Sequence, residues 1–198
     1  MDFETIKLKS GLFDRERQLI ITSDHIEYEN SDLIANGNVR LDKSDITDFI
    51  HSTDYIVWYK FTVGIKYSIS LKSKNGEILK ITFKSYFNTK REYREIYHVL
   101  VDKLHQYFFN DIVDGYLKKF YKAEEVKLGK LQLDKNGIKV MGTGLDFTWG
   151  NLSFKEYSNY FALARSNAPE FHIWIGYDEW FAEILYRLIK TIKRDFNS

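Results

Sequence analysis

Apolar and polar residues alternate with period two along most of residues 1–83, the pattern of half-buried strands. Ile6, Leu8 and Leu12 share one parity. QLIITSDHIEYEN reads as a hairpin turning at Ser23, Asp24 and His25, and Val39, Leu41 and Ile46 are the inward groups of the next segment. Tyr55 to Val63, YIVWYKFTV, is apolar on both parities and is therefore expected to be covered on both faces. The clearest hairpin is IKYSISLKSKNGEILKITF. Ile65, Tyr67, Ile69 and Leu71 face Leu79, Ile81 and Phe83 there, and Asn75-Gly76 suits a type I′ turn.

The period then becomes helical. Tyr93, Ile96, Tyr97, Leu100, Leu104 and Phe108 form one stripe, behind Thr89 and Glu92 as a capping box. Ile112, Val113, Tyr116, Leu117 and Phe120 continue a helical stripe, with Asn110 able to cap a second helix. After Glu125 the strand pattern returns. KLQLDKNGIKV aligns without gaps on QLIITSDHIEY, placing Leu131 on Leu19 and Ile138 on Ile26, with a two-residue turn at Asn136-Gly137. Leu145, Phe147, Trp149 and Leu152 fall where the first half has Val39, Leu41, Lys43 and Ile46. YFALARS and FHIWI predict two more strands, making six in this half, and a last helix is expected from Asp178 as N-cap. Its stripe of Phe181, Ile184, Leu185, Leu188 and Ile192 matches Tyr93, Ile96, Tyr97, Leu100 and Leu104 one for one.

Hairpins followed by one amphipathic helix, in that order and twice, resemble a tandem of the pleckstrin-homology-like superfold in its bacterial-type form. A sheet with one apolar face cannot bury that face alone, and the helix supplies the cover. The resemblance implies a mostly-β α+β chain of two antiparallel β sandwiches or barrels, each capped by its C-terminal helix. The first would span residues 1–108 and a shorter second one 124–198, joined by a helical connector over 109–123. Domains of this superfold present peptides or lipids along a sheet edge or at the open corner. Those that bind phosphoinositides use basic residues on a long first hairpin loop. The corresponding turns here, 23–25 and 135–137, are short and the first is acidic, which speaks against that route.

Composition narrows the function classes. Aromatic residues make up 17% of the 198, led by 15 Phe and 14 Tyr, so even a small unit can build a dense core. The formal charge of +1 argues against a nucleic-acid binder held by phosphate neutralisation. With no cysteine, disulfides, thiolate zinc sites and cysteine nucleophiles are excluded. MDFETIKLKSGLF carries no signal pattern, and no apolar run approaches the roughly 20 residues of a membrane span, so a soluble cytoplasmic protein is the expectation.

Charge is uneven along the chain. Residues 1–59 hold 6 Lys/Arg against 12 Asp/Glu, whereas residues 60–103 hold 10 against 4. Lys66, Lys72, Lys74, Lys80 and Lys84 stand opposite the inward Ile/Leu set, and Lys90, Arg91 and Arg94 follow on the helix. They read as a solvated outer face or as a patch for an anionic membrane or acidic partner. Trp58, Tyr116, Phe120 and Trp174 leave second apolar faces that need burial, either as an interdomain core or as a partner surface. His98, Asp102 and His105 line one helical flank at metal-ligand spacing, more simply a polar surface stripe. Gly142-Thr143-Gly144 lacks the following helix of a phosphate loop and reads as a turn.

No enzyme signature and no cofactor motif stands out. The reading is a non-catalytic binding or adaptor module for a protein partner. Alternatives are peripheral binding to anionic lipid through the basic sheet face, and a small metal-dependent enzyme around His98, Asp102 and His105.

Overall fold

The computed structural model describes residues 5–11, 14–29, 37–86 and 90–196. Leu12 of the first stripe and Thr89 of the capping box lie outside the described residues. The chain divides into two compact units, Met1–Asn110 and Asp111–Ser198. It is a mostly-β α+β protein with four small antiparallel sheets and two helical runs among the described residues. No helix among them is long and apolar enough to cross a membrane.

In the first unit, β1 (Thr5–Lys9), β2 (Glu16–Ile21), β3 (His25–Glu29) and β4 (Asn38–Asp42) form a meander in chain order. A 3₁₀ turn at Lys43–Asp45 leads into a second meander of β5 (Ile46–Trp58), β6 (Phe61–Ser73) and β7 (Ile78–Tyr86). The alternation predicted from sequence is what is buried. Ile6, Leu8, Leu19, Ile21, Ile26, Tyr28 and Leu41 line one sheet, and Phe49, Ile65, Tyr67, Ile69, Leu71, Leu79, Ile81 and Phe83 line the other. Helix α1 (Lys90–Leu104) packs on β6 and β7 through Tyr97, Leu100 and Leu104, and Tyr97 lies 5.0 Å from the Tyr67 ring. Each such large apolar side chain contributes about 1.5–3 kcal/mol by leaving water. A π turn at His105–Phe109 then adds Phe108 and Phe109 to the core.

The second unit repeats this order. After α2 (Asn110–Tyr121) come β8 (Val126–Leu128), β9 (Leu131–Asp134), β10 (Gly137–Val140) and β11 (Leu145–Thr148) as a meander. β12 (Leu152–Glu156), β13 (Tyr160–Arg165) and β14 (Ala168–Gly176) make a second sheet, and α3 (Ala182–Phe196) closes the unit. The register matches as well as the order. Leu19 pairs with Tyr28 and Ile21 with Ile26, and at the aligned positions Leu131 pairs with Val140 and Leu133 with Ile138. Leu41 then faces Ile26 as Phe147 faces Ile138. The turn chemistry also recurs. Thr22 Oγ1 accepts the Asp24 and His25 N–H groups at 3.2 and 3.1 Å, and the equivalent Asp134 carboxylate accepts those of Asn136 and Gly137 at 2.7 and 3.2 Å.

Several expectations change. The second unit has seven described strands, not six: β8 alternates as Val126, Lys127 and Leu128, but three residues are too short a run to stand out in the sequence. No described sheet closes into a barrel. β1 and β7 lie side by side without a ladder among the described residues, and the hydroxyl of Ser10, just after β1, donates to the Thr82 carbonyl at 3.1 Å. Asn75-Gly76 is not a type I′ turn. Gly76 alone is left-handed, at φ 87°, inside a longer loop closed by the Ser73 N–H donating to the Glu77 carbonyl. The tight turn of the second unit is centred on Lys135-Asn136, since Asp134 pairs with Gly137. Helix α3 starts at Ala182 instead of near Asp178. Gly176–Glu179 form a separate turn, and Phe181 precedes the helix at φ 67°.

Candidate functional site

β5 and β6 are the longest strands, and they pair from Ile46–Ser73 out to Trp58–Phe61. β7 is shorter and ends at Tyr86, opposite Gly64. Beyond Gly64 the hairpin therefore continues, among the described residues, as a two-stranded ribbon, closed by Tyr59 and Lys60, with Tyr59 at φ 55°. At about 3.3 Å per residue the ribbon extends roughly 10 Å past this neck. Gly64 is demanded by close packing there, because a Cβ would run into the Ser85 carbonyl oxygen and crowd the Ile56 and Tyr86 side chains.

This ribbon is YIVWYKFTV, expected to be covered on both faces. It is instead exposed on both. Tyr55, Val57, Trp58, Tyr59 and Phe61 are 74%, 60%, 69%, 89% and 72% exposed. The apolar residues do fall on both parities, but no described element packs over them to bury them. A β-bulge between Ile56 and Val57 shifts the register by one residue, so that Ile56 opposes Gly64 and Val57 opposes Thr62.

The lysines of the sequence reading are arranged behind the ribbon. Lys66 and Lys84 are directly opposed across β6 and β7, and Lys66 pairs with Asp54 at 3.5 Å. Lys80 is exposed opposite Ser70, and Lys72 lies farther down, opposite Ile78 on one side and the buried Asp48 on the other. Lys74 is exposed in the β6–β7 loop, its N–H donating to the Asp45 carbonyl. α1 begins at Lys90, four Cα steps after Tyr86, so its first turn lies within roughly 15 Å of the neck strand by chain reach alone. Arg91 and Arg94 are exposed on that turn, Arg91 paired with Glu95 at 3.0 Å.

The four aromatics singled out by sequence do not share an environment. Trp58 and Trp174 are exposed, at 69% and 63%, so neither belongs to a core. Trp174 on β14 lies 5.1 Å from the His172 ring and 6.3 Å from Tyr160, which stacks on Tyr157 at 4.6 Å. Phe120 is buried within its own unit, edge-on to Trp149 at 5.7 Å, while Tyr116 is half-buried with Lys119 over its ring.

His98, Asp102 and His105 do not converge. The first two are exposed on α1, whereas His105 opens the π turn and packs 5.2 Å from the Phe49 ring and 5.0 Å from Phe109. A different histidine, not singled out from sequence, is engaged in this unit. His51 Nδ1 and the Tyr97 hydroxyl share a hydrogen bond of 2.7 Å, and burial holds the imidazole below its ordinary pKa of 6.5. Gly142 and Gly144, at φ 79° and 71°, lie in the β10–β11 turn, as read from sequence.

Val57, Tyr59 and Phe61 at the tip, and Tyr55 at its base, were missed as a site. The signal that finds the tip is the length mismatch between β5–β6 and β7, which leaves apolar residues with no third described strand. No protein-family model, curated protein or solved structure matches the chain, so this surface itself carries the functional reading.

Proposed function

We propose that the protein is a non-catalytic binding module of tandem pleckstrin-homology-like construction, and that it engages its partner through the β5–β6 ribbon of the first unit. Two four-plus-three strand orders, each closed by a helix, support the superfold reading. One observation carries the function. Four large apolar side chains are held in water at the end of a hairpin whose base, where Tyr55 is exposed as well, is firmly built into a sheet. Exposed clusters of this kind mark interaction sites, since an isolated fold gains nothing from them. The first hairpin loop, where relatives of the superfold hold phosphoinositides, is closed by the Thr22 turn.

Replacing Trp58, Tyr59 and Phe61 together by Ser tests this. The variant is expected to keep the thermal midpoint of the wild type while losing its co-fractionation with membranes or large complexes in native cell extract. Unchanged fractionation of the folded variant overturns the reading. A second reading, a protein partner held on the second unit, is favoured by the exposed Trp174 and His172 of the edge strand β14, which lie against the half-buried Tyr160 of β13.

A further inference from the structure

We infer that the occupant of the β5–β6 tip is an anionic lipid bilayer, into whose headgroup layer the tip inserts as an aromatic wedge. This rests on the reading above, that the tip is the contacting element. Shape is the first argument. A protein groove typically covers one face of a two-stranded ribbon, but here Val57 and Trp58 of β5, Tyr59 of the turn and Phe61 of β6 are all exposed at the end of the hairpin, with Tyr55 exposed at its base. A fluid interface meets all of these sides at once.

Side-chain chemistry is the second argument. Trp and Tyr carry an apolar ring with a polar handle and concentrate at the level of lipid headgroups, where one end is dry and the other wet. Three of the five exposed groups are of this kind, and Phe61 and Val57 supply purely apolar area.

Charge complementarity is the third. Residues 55–65 contain no acid, and Lys60 sits in the turn itself. Lys84 flanks the neck opposite Lys66, which pairs with the nearby Asp54, and the first turn of α1 adds Arg94 and Arg91, the latter paired with Glu95. Cations placed just behind an apolar tip face lipid phosphates and serine carboxylates once the tip is seated.

Backbone chemistry sets the depth. Among the described residues, no third strand pairs with β6 past Gly64 and none lies beside the outer edge of β5. Those N–H and C=O groups must stay hydrated, so the ribbon can enter the headgroup layer but cannot cross the hydrocarbon. Its reach of about 10 Å past the neck suits that layer and falls far short of the roughly 30 Å core.

The experiment uses the full chain and vesicles of phosphatidylcholine, with and without phosphatidylserine. Expected are co-sedimentation with the anionic vesicles that weakens with added salt, and quenching of tryptophan fluorescence by bromine-labelled lipid that is reduced in Trp58→Ser. Trp58→Ser/Tyr59→Ser/Phe61→Ser should weaken vesicle binding at least about tenfold at an unchanged thermal midpoint. Lys60→Glu/Lys84→Glu should abolish the preference for phosphatidylserine. Folded wild type that ignores anionic vesicles at low salt, or a tip variant that binds them as well as wild type, overturns the inference. If wild type ignores vesicles while the tip variant still changes fractionation in extract, the lipid is wrong and the tip remains the binding element. If the tip variant changes neither assay, both readings fall.

Discussion

His51 ties the middle of β5 to α1 through the Tyr97 hydroxyl, and its environment accommodates the neutral ring. Burial depresses its pKa in the fold, so the unfolded chain, near 6.5, takes up the proton first as the solution is acidified. The resulting stability is fully present above 6.5 and is lost as pH falls from there through the folded value. The midpoint of urea unfolding should therefore drop on acidification through this window, and His51→Gln should flatten that slope. A parallel slope in the variant would show that the acid sensitivity lies elsewhere. Sequence gave no hint of this pair. Tyr97 was visible as part of a helical stripe, but its partner lies on a strand far upstream, and only the packed α1–β6 face brings the two together.

At the scale of elements, Trp149 does for the second unit what several residues share in the first. It is buried, its indole N–H donates to the Asp134 carbonyl at 2.9 Å, and its ring meets Phe120 of α2 and stacks on Phe196 at the end of α3. One side chain thus joins two helices to the β9–β10 turn. Trp149→Ala should cost about 3–5 kcal/mol in urea unfolding, and Trp149→Phe markedly less, since it keeps most of the apolar contact and loses the hydrogen bond. Equal losses in the two variants would count against this account. Alternation and helical stripes made Trp149 legible as an inward group, and they made the principal strands legible too. Turn types were less so, because they depend on side chains that cap the backbone. Asp134 takes two N–H groups and so recentres a turn that Asn136-Gly137 would otherwise have closed. The start of α3 was misread for a related reason: Asp178 is a good capping residue, but Gly176–Glu179 fold as their own turn first.

Across the whole molecule, each unit carries its own set of buried apolar residues, from Ile6 to Phe109 in one and from Val113 to Ile192 in the other. Residues 1–110 expressed alone should unfold cooperatively in urea with sheet-rich circular dichroism. A non-cooperative, dye-binding fragment would show that the unit does not hold by itself. The repetition was legible because inward residues recur at fixed spacing, and Leu19/Leu131 and Ile26/Ile138 occupy matching rungs. Closure of the sheets was not, since it depends on how edge strands meet. The candidate site was half legible: the residues of the tip stood out, but their fate turned on where a neighbouring strand happened to end.

That ribbon also bears on how the chain survives at high concentration. Exposed greasy side chains on a ribbon with no third strand among the described residues are a standing invitation for copies to stick to one another, and Lys60, the only charge in residues 55–63, is the gatekeeper that keeps such encounters brief. A cell that makes much of this protein without giving the ribbon somewhere to rest would be expected to find it in inclusion bodies.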